Sequence, residues 1–270
     1  MPDLKEKFKS VREVGHNVGE RLKVFRLSRL IPNIVTLASL CSGVTSLRFS
    51  LEGKYEIAML FILIAAVLDG LDGRLARLLG GESRFGAELD SLADFVNFGV
   101  SPALMLYLHS LKNLDSLGWG AVLIYVVCAS LRLARFNVIS IEEEHSLDKK
   151  ELTMKSPPGF FLGVPITIAG FLVLMPLFLS VNQTVSIVVH PFITAFWMFF
   201  VSFLMVSRLF IFSFKKMYIE KTAILPILLG VVVTMTLMLE SPWLTLFFIG
   251  AIYVACIPIS HKKGKLFIHD

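Results

Sequence analysis

Four aspartates, Asp69, Asp72, Asp90 and Asp94, follow directly on the apolar run Ile57 to Leu68. Asp69 and Asp72 are spaced i, i+3 and Asp90 and Asp94 i, i+4, so each pair shares one face of a helix. Gly73 and Arg77 continue the first stripe, Gly86 begins the second, and "GGES" between them reads as a turn. A helix–turn–helix hairpin would bring the stripes face to face and gather four carboxylates near a membrane–water boundary. Such a cluster needs neutralising: two like charges about 4 Å apart repel by about 4 kcal/mol at an effective dielectric near 20. Protons or cations must enter. With carboxylate oxygens and no His or Cys between Ile57 and Gly99, the donor set suits a hard cation, Mg²⁺ or Mn²⁺, with enough carboxylates for two ions. Paired metals held by acidic residues clamp the attacking and leaving oxygens of a phosphoryl displacement. Gly73 and Gly86 leave room for close approach to the backbone, and Arg77 offers a fork suited to phosphate. The rival chemistry is an ion pathway in a transporter. Transporter sites, however, lie typically near the bilayer midplane on broken helices, whereas these aspartates stand at the ends of two adjacent apolar segments.

The elements that must position them are membrane helices. Of 270 residues, 55% are hydrophobic and 17% charged, where soluble domains carry roughly 25% charged residues; mean hydropathy is +0.74. The composition predicts an all-α polytopic membrane protein of about eight transmembrane helices, at 31–50, 56–79, 88–111, 117–138, 160–180, 187–212, 222–240 and 243–259. Of the 26 Lys and Arg, all but Arg48, Lys54 and Lys112 fall in the N-terminal segment, the tail or alternate connections. That bias predicts cytoplasmic termini and a cytoplasmic position for the hairpin. The domain division expected is a basic segment at 1–30, a transmembrane core at 31–213, two further helices at 214–260 and a tail at 261–270.

Leu4, Phe8, Val11, Val14, Val18, Leu22 and Phe25 recur at helical spacing among basic residues, predicting an amphipathic helix in the headgroup layer. The opening residues are too charged for a secretory signal peptide. The net charge of +5 belongs to connections and meets anionic headgroups. It is not interleaved with aromatic stacking residues, which argues against nucleic acid. Cys41, Cys128 and Cys256 show no paired spacing and read as buried apolar residues rather than disulfide or zinc partners. The polar stretch from Asn137 to Pro158 reads as a solvated cytoplasmic loop.

Asp69-x2-Asp72-Gly73-x2-Ala76-Arg77-x8-Gly86-x3-Asp90-x3-Asp94 resembles, at every fixed position, the signature of the CDP-alcohol phosphotransferase family. Within it, "IPNIVTLASLCSG", "GAELDSLADFVNFGVSPA", "LRLARFNV" and "FLGVPITIAG" resemble the phosphatidylserine synthase branch. The resemblance implies a six-helix catalytic core and transfer of a phosphatidyl group from CDP-diacylglycerol to an alcohol, L-serine in this branch, with release of CMP. It implies metal ligation by Asp69, Asp72, Asp90 and Asp94, with Asp94 also the general base. It further implies a CDP site lined by Asn33, Thr36, Asp69, Gly73, Ala76, Arg77 and Gly86, and a homodimer in the membrane. Arg132, Arg135 and Asn137 end an apolar span, which suits topology alone; near an acidic substrate they are also candidates for the acceptor carboxylate or a donor phosphate. Glycerol 3-phosphate, inositol phosphate and choline stand as alternative acceptors.

Overall fold

The computed structural model describes residues 27–80, 83–145, 160–181, 189–207, 209–212 and 224–269. The interfacial helix expected from Leu4 to Phe25 lies outside these residues.

Helix α1 (Leu27–Leu51) is apolar outside and polar inside. Thr36, Ser39, Ser42, Ser46 and Ser50 are buried at three- and four-residue intervals, whereas Ile34, Leu37, Val44 and Leu51 are exposed. In lipid the apolar face needs no protein partner, and small polar residues let helices approach and hydrogen-bond. α1 does so against α2 (Tyr55–Leu78), whose inner face is Ala58, Met59, Ile62 and Ala65. The Ser39 hydroxyl donates to the Ala65 carbonyl at 2.8 Å, and Ser42 to that of Phe61 at 2.7 Å. Between the two helices Gly53 takes a left-handed φ of +74°. The Lys54 ammonium, 2.8 Å from Glu52, holds that carboxyl below its ordinary range.

Both ends of the expected turn are punctuated. Gly80 adopts φ +57° just past α2, and the Ser83 hydroxyl caps α3 (Arg84–Asp94) by accepting from the Gly86 N–H at 3.0 Å. α3 runs through a π-helical stretch, Phe95–Val100, into α4 (Ser101–His109). A 3₁₀ turn at Leu111–Leu114 leads to α5 (Asp115–His145). β1 (Phe160–Leu162) pairs antiparallel with β2 (Phe210–Phe212), Phe160 opposite Phe212. Between the strands come α6 (Ile166–Val173), α7 (Met175–Val181) and α8 (Pro191–Val206). α9 (Ile224–Glu240) and α10 (Pro242–His269) complete the described chain.

Two prolines create sockets that neighbouring helices fill. Pro102 and Pro176 have no N–H to offer the carbonyls four residues earlier, those of Phe98 and Leu172. The buried Tyr125 hydroxyl donates to the Phe98 carbonyl at 3.0 Å, and the Trp197 indole N–H to that of Leu172 at 2.7 Å. Tyr125→Phe keeps the ring and removes the donor to the Phe98 carbonyl, so it is expected to cost about 1–3 kcal/mol. Denaturant unfolding in detergent measures this.

The expectation of about eight spanning helices is corrected. Among the described residues, four helices are long and apolar enough to cross a membrane: Leu30–Leu51, Arg84–His109, Leu111–Ile139 and Pro242–Ser260. Ile166–Val181, Pro191–Val206 and Leu225–Glu240 are apolar but shorter. The reasons are local. α2 carries Glu56, Asp69, Asp72, Arg74 and Arg77 within 24 residues. The expected span 160–180 opens as a strand and breaks before Pro176. α8 has only 16 residues between His190 and Ser207, about 24 Å at 1.5 Å per residue, and the expected end of its span is β2. Two smaller corrections follow. The supposed loop after Asn137 continues α5 as far as His145, residues 146–159 lying outside the described chain. Cys41 and Cys256 are exposed rather than buried, with Cys128 half-buried, and all three are free thiols.

Candidate active site

α2 and α3 carry the carboxylates, and α1 sets them against each other. One oxygen from each of Asp69, Asp72 and Asp90 lies within 4.8 Å of the other two. Asp94 stands outside that group of three but directly against Asp69. Asp72 is buried, 4% exposed, and the Thr36 hydroxyl donates to its Oδ2 at 2.6 Å. The Oδ1 atoms of Asp90 and Asp94 are buried and, among the described residues, have no hydrogen-bond partner. Buried carboxylate oxygens without a donor are costly unless a cation reaches them. The donor set therefore fits a divalent cation, with Asp69, Asp72 and Asp90 as the residues that would hold it.

Below the carboxylates lies a brace that sequence reasoning missed. Asn97, in the π-helical stretch, is fully buried; its Nδ2 donates to Ser39 Oγ at 2.9 Å, and Ser39 in turn donates to α2. A Cβ on Gly43 would overlap the Asn97 side chain, so α1 and the π-helical stretch meet at van der Waals contact there. The Ser101 hydroxyl donates to the Gly43 carbonyl at 3.1 Å. α1 thus ties both arms of the hairpin together. The available signal was the run of small residues Ser39, Ser42, Gly43 and Ser46 inside an apolar span.

Of the expected nucleotide-binding residues, Asp69 and Thr36 belong to the carboxylate group, and the others divide between α2 and the start of α3. A Cβ on Gly73 would meet nothing within 4 Å, so the helix surface there is open. On Gly86 it would lie 3.0 Å from Asn33 Oδ1 and 3.1 Å from Ser83 Oγ, which places Asn33 at the start of α3. Arg77 is exposed and donates through Nε to the Gly73 carbonyl at 3.1 Å, and Ala76 is half-buried beside it.

α5 runs antiparallel to α3 along the other side. Its rungs are Tyr125 with Phe98, Ala129 against Gly99, and Asn137 accepting from the Ser91 hydroxyl at 3.2 Å. Arg132 falls between the last two of these positions along α5. Its Nε donates to the Val164 carbonyl at 3.2 Å and its guanidinium lies 5.7 Å from the Phe136 ring centroid. Arg135 is half-buried one turn along.

Comparison with known proteins identifies the family. The sequence model of the CDP-alcohol phosphatidyltransferase family matches residues 29–201, from α1 into α8. A protein of Mycobacterium leprae described as a CDP-diacylglycerol–serine O-phosphatidyltransferase is 36% identical over 247 residues, 89% of this chain and 78% of that protein. Relatives of the same description come from Mycobacterium tuberculosis, 34% identical over 88% of this chain and 80% of theirs, and from Bacillus subtilis, 32% identical over 69% and 92%. With its aspartate hairpin braced by α1 and the family match spanning that whole assembly, the chain belongs to the CDP-alcohol phosphatidyltransferase family.

Proposed function

We propose that the protein transfers the phosphatidyl group of CDP-diacylglycerol to the hydroxyl of L-serine, giving phosphatidylserine and CMP. The observation that carries this reading is the carboxylate cluster of Asp69, Asp72, Asp90 and Asp94, with two buried oxygens unpartnered among the described residues. Relatives covering most of the chain share the activity in their descriptions. Bound Mg²⁺ or Mn²⁺, one ion or two, would neutralise the cluster and stabilise charge on the diphosphate. The chain does the rest. Asn33, Thr36, Gly73, Ala76, Arg77 and Gly86 hold the cytidine diphosphate over the open helix surface at Gly73. Asp94 takes the proton of the serine hydroxyl; a carboxylate so placed makes a poor nucleophile competent. The serine oxygen bonds to the phosphorus bearing diacylglycerol, the bond from that phosphorus to the CMP oxygen breaks, and CMP leaves. Arg132, Arg135 and Asn137, on the α5 side, receive the acceptor.

The Lys and Arg bias of the connections supports a cytoplasmic site and cytoplasmic termini in a bacterial-type inner membrane. Residues 31–213 form the catalytic core, and family resemblance supports a homodimer among membrane lipids. The test is CMP release from CDP-diacylglycerol by purified protein with Mg²⁺ or Mn²⁺, run in parallel with serine, glycerol 3-phosphate, inositol phosphate and choline. Release with serine alone is the expected result. Preference for another acceptor would move the assignment within the family, and no release with any would remove it.

A further inference from the structure

The helical turn that follows Asp94 departs from α geometry. Phe95–Val100 is π-helical, and the Ser101 N–H closes it by reaching the Val96 carbonyl five residues back. Such turns are rare and occur frequently at functional sites. Bonds to neighbouring helices hold this one in place. Tyr125 donates to the Phe98 carbonyl at 3.0 Å, Ser101 to the Gly43 carbonyl at 3.1 Å, and the Asn97 amide to Ser39 Oγ at 2.9 Å. The last of these runs on towards a second carboxylate.

Ser39 Oγ accepts from Asn97 and donates to the Ala65 carbonyl at 2.8 Å. In the α-helical pattern that carbonyl is also the acceptor of the Asp69 N–H, four residues on. On the other arm, Asn97 stands three residues after Asp94. One hydroxyl therefore links the turn that carries Asp69 to the turn that carries Asp94. The link is buried throughout, Asn97 being 0% exposed and Ser39 1%. It is also tight: a Cβ on Gly43 would lie 2.7 Å from Asn97 Cγ and 3.2 Å from its Cα, so the amide has little room to change rotamer. Asp69, Asp72 and Asp90 converge on one point, and Asp94 stands outside it. A general base works only within hydrogen-bond reach of the proton it takes, and a misplacement of about 1 Å can cost about a hundredfold in rate. Turnover therefore depends on the height of Asp94 against the Asp69 arm.

We infer that Asn97, acting through Ser39, is a positioning residue for the transfer: it sets the height of the Asp94 carboxylate relative to Asp69. The inference rests on the proposed transfer with Asp94 as its base, and deepens it. The experiment compares two hydroxyls on the same pair of helices. Ser39→Ala cuts the link. Ser42→Ala removes the same kind of bond, donated to the Phe61 carbonyl at 2.7 Å, but Phe61 lies eight residues before Asp69. Steady-state CMP release with serine and Mg²⁺, and thermal unfolding in detergent, are measured for both variants, for Asn97→Ala and for Ser39→Ala/Asn97→Ala. Ser39→Ala and Asn97→Ala are each expected to lower kcat about ten- to a hundredfold, with KM for serine and for CDP-diacylglycerol within about threefold of wild type. The double variant is expected to fall no further than the worse single one, as for residues that act as a unit. Ser42→Ala is expected to keep kcat within about threefold of wild type despite a loss of thermal stability comparable to that of Ser39→Ala. A merely structural role would make kcat follow stability, so that Ser39→Ala and Ser42→Ala fall together. That result overturns the inference, as does kcat within about threefold of wild type in Ser39→Ala or in Asn97→Ala. The Ser39 and Ser42 comparison decides the matter even if Asn97→Ala does not fold. Wild type inactive with serine would instead overturn the serine reading, and the same comparison would then be made with whichever acceptor releases CMP; release with none overturns the transfer and this inference together.

Discussion

Asp94→Asn is expected to lower CMP release with serine at least a hundredfold while leaving expression, membrane insertion and CDP-diacylglycerol binding near wild type. The amide is nearly isosteric with the carboxylate but cannot accept the serine proton, and general-base contributions commonly run from 10² to 10⁴. The position explains why no neighbour would substitute. Asp72 is engaged by Thr36, Asp69, Asp72 and Asp90 converge on one point, and Asp94 alone of the four stands outside that point with a buried, unpartnered oxygen. Steady-state kinetics with a ligand-binding measurement separate loss of turnover from loss of binding. Turnover within tenfold of wild type would give the base to another group.

Removal of divalent ions is expected to have an equally large effect. Chelation should reduce CMP release to background, and added Mg²⁺ or Mn²⁺ should restore it. A second readout is independent of turnover. A ligand that binds only the folded protein stabilises it by RT ln(1 + [L]/Kd), about 2.7 kcal/mol at a hundred times Kd. Added Mn²⁺ should therefore raise the unfolding temperature of wild type in detergent, and Asp90→Asn should blunt the rise. A thermal shift that persists undiminished in Asp90→Asn would place the ion elsewhere.

The chemistry was legible in the sequence because it is local. The spacing of Asp69, Asp72, Asp90 and Asp94 puts each pair on one helix face whatever surrounds it, and Gly80 and Ser83 mark the turn between the helices. The brace was not legible, because it pairs residues far apart in the chain. Nothing in "LASLCSGV" says that Ser39 meets Asn97 and Ala65 rather than lipid, or that Gly43 must make way for an amide. The count of spans failed for a third reason. Apolar composition measures what tolerates lipid, not how long a helix remains unbroken. Residues from Phe160 onward are as oily as a span requires, yet Gly163 at φ +74° and the break before Pro176 divide them into a strand and two short helices.

The Pro102 socket bears on how the chain is made. A carbonyl that its own helix cannot satisfy carries a penalty of several kcal/mol if exposed to hydrocarbon. The helix bearing Phe98 is therefore incomplete until α5 arrives with Tyr125. The donor lies on the next long helix to be synthesised. The physics thus favours entry of these two helices into the bilayer as a couple, closed by an aromatic donor, rather than one at a time.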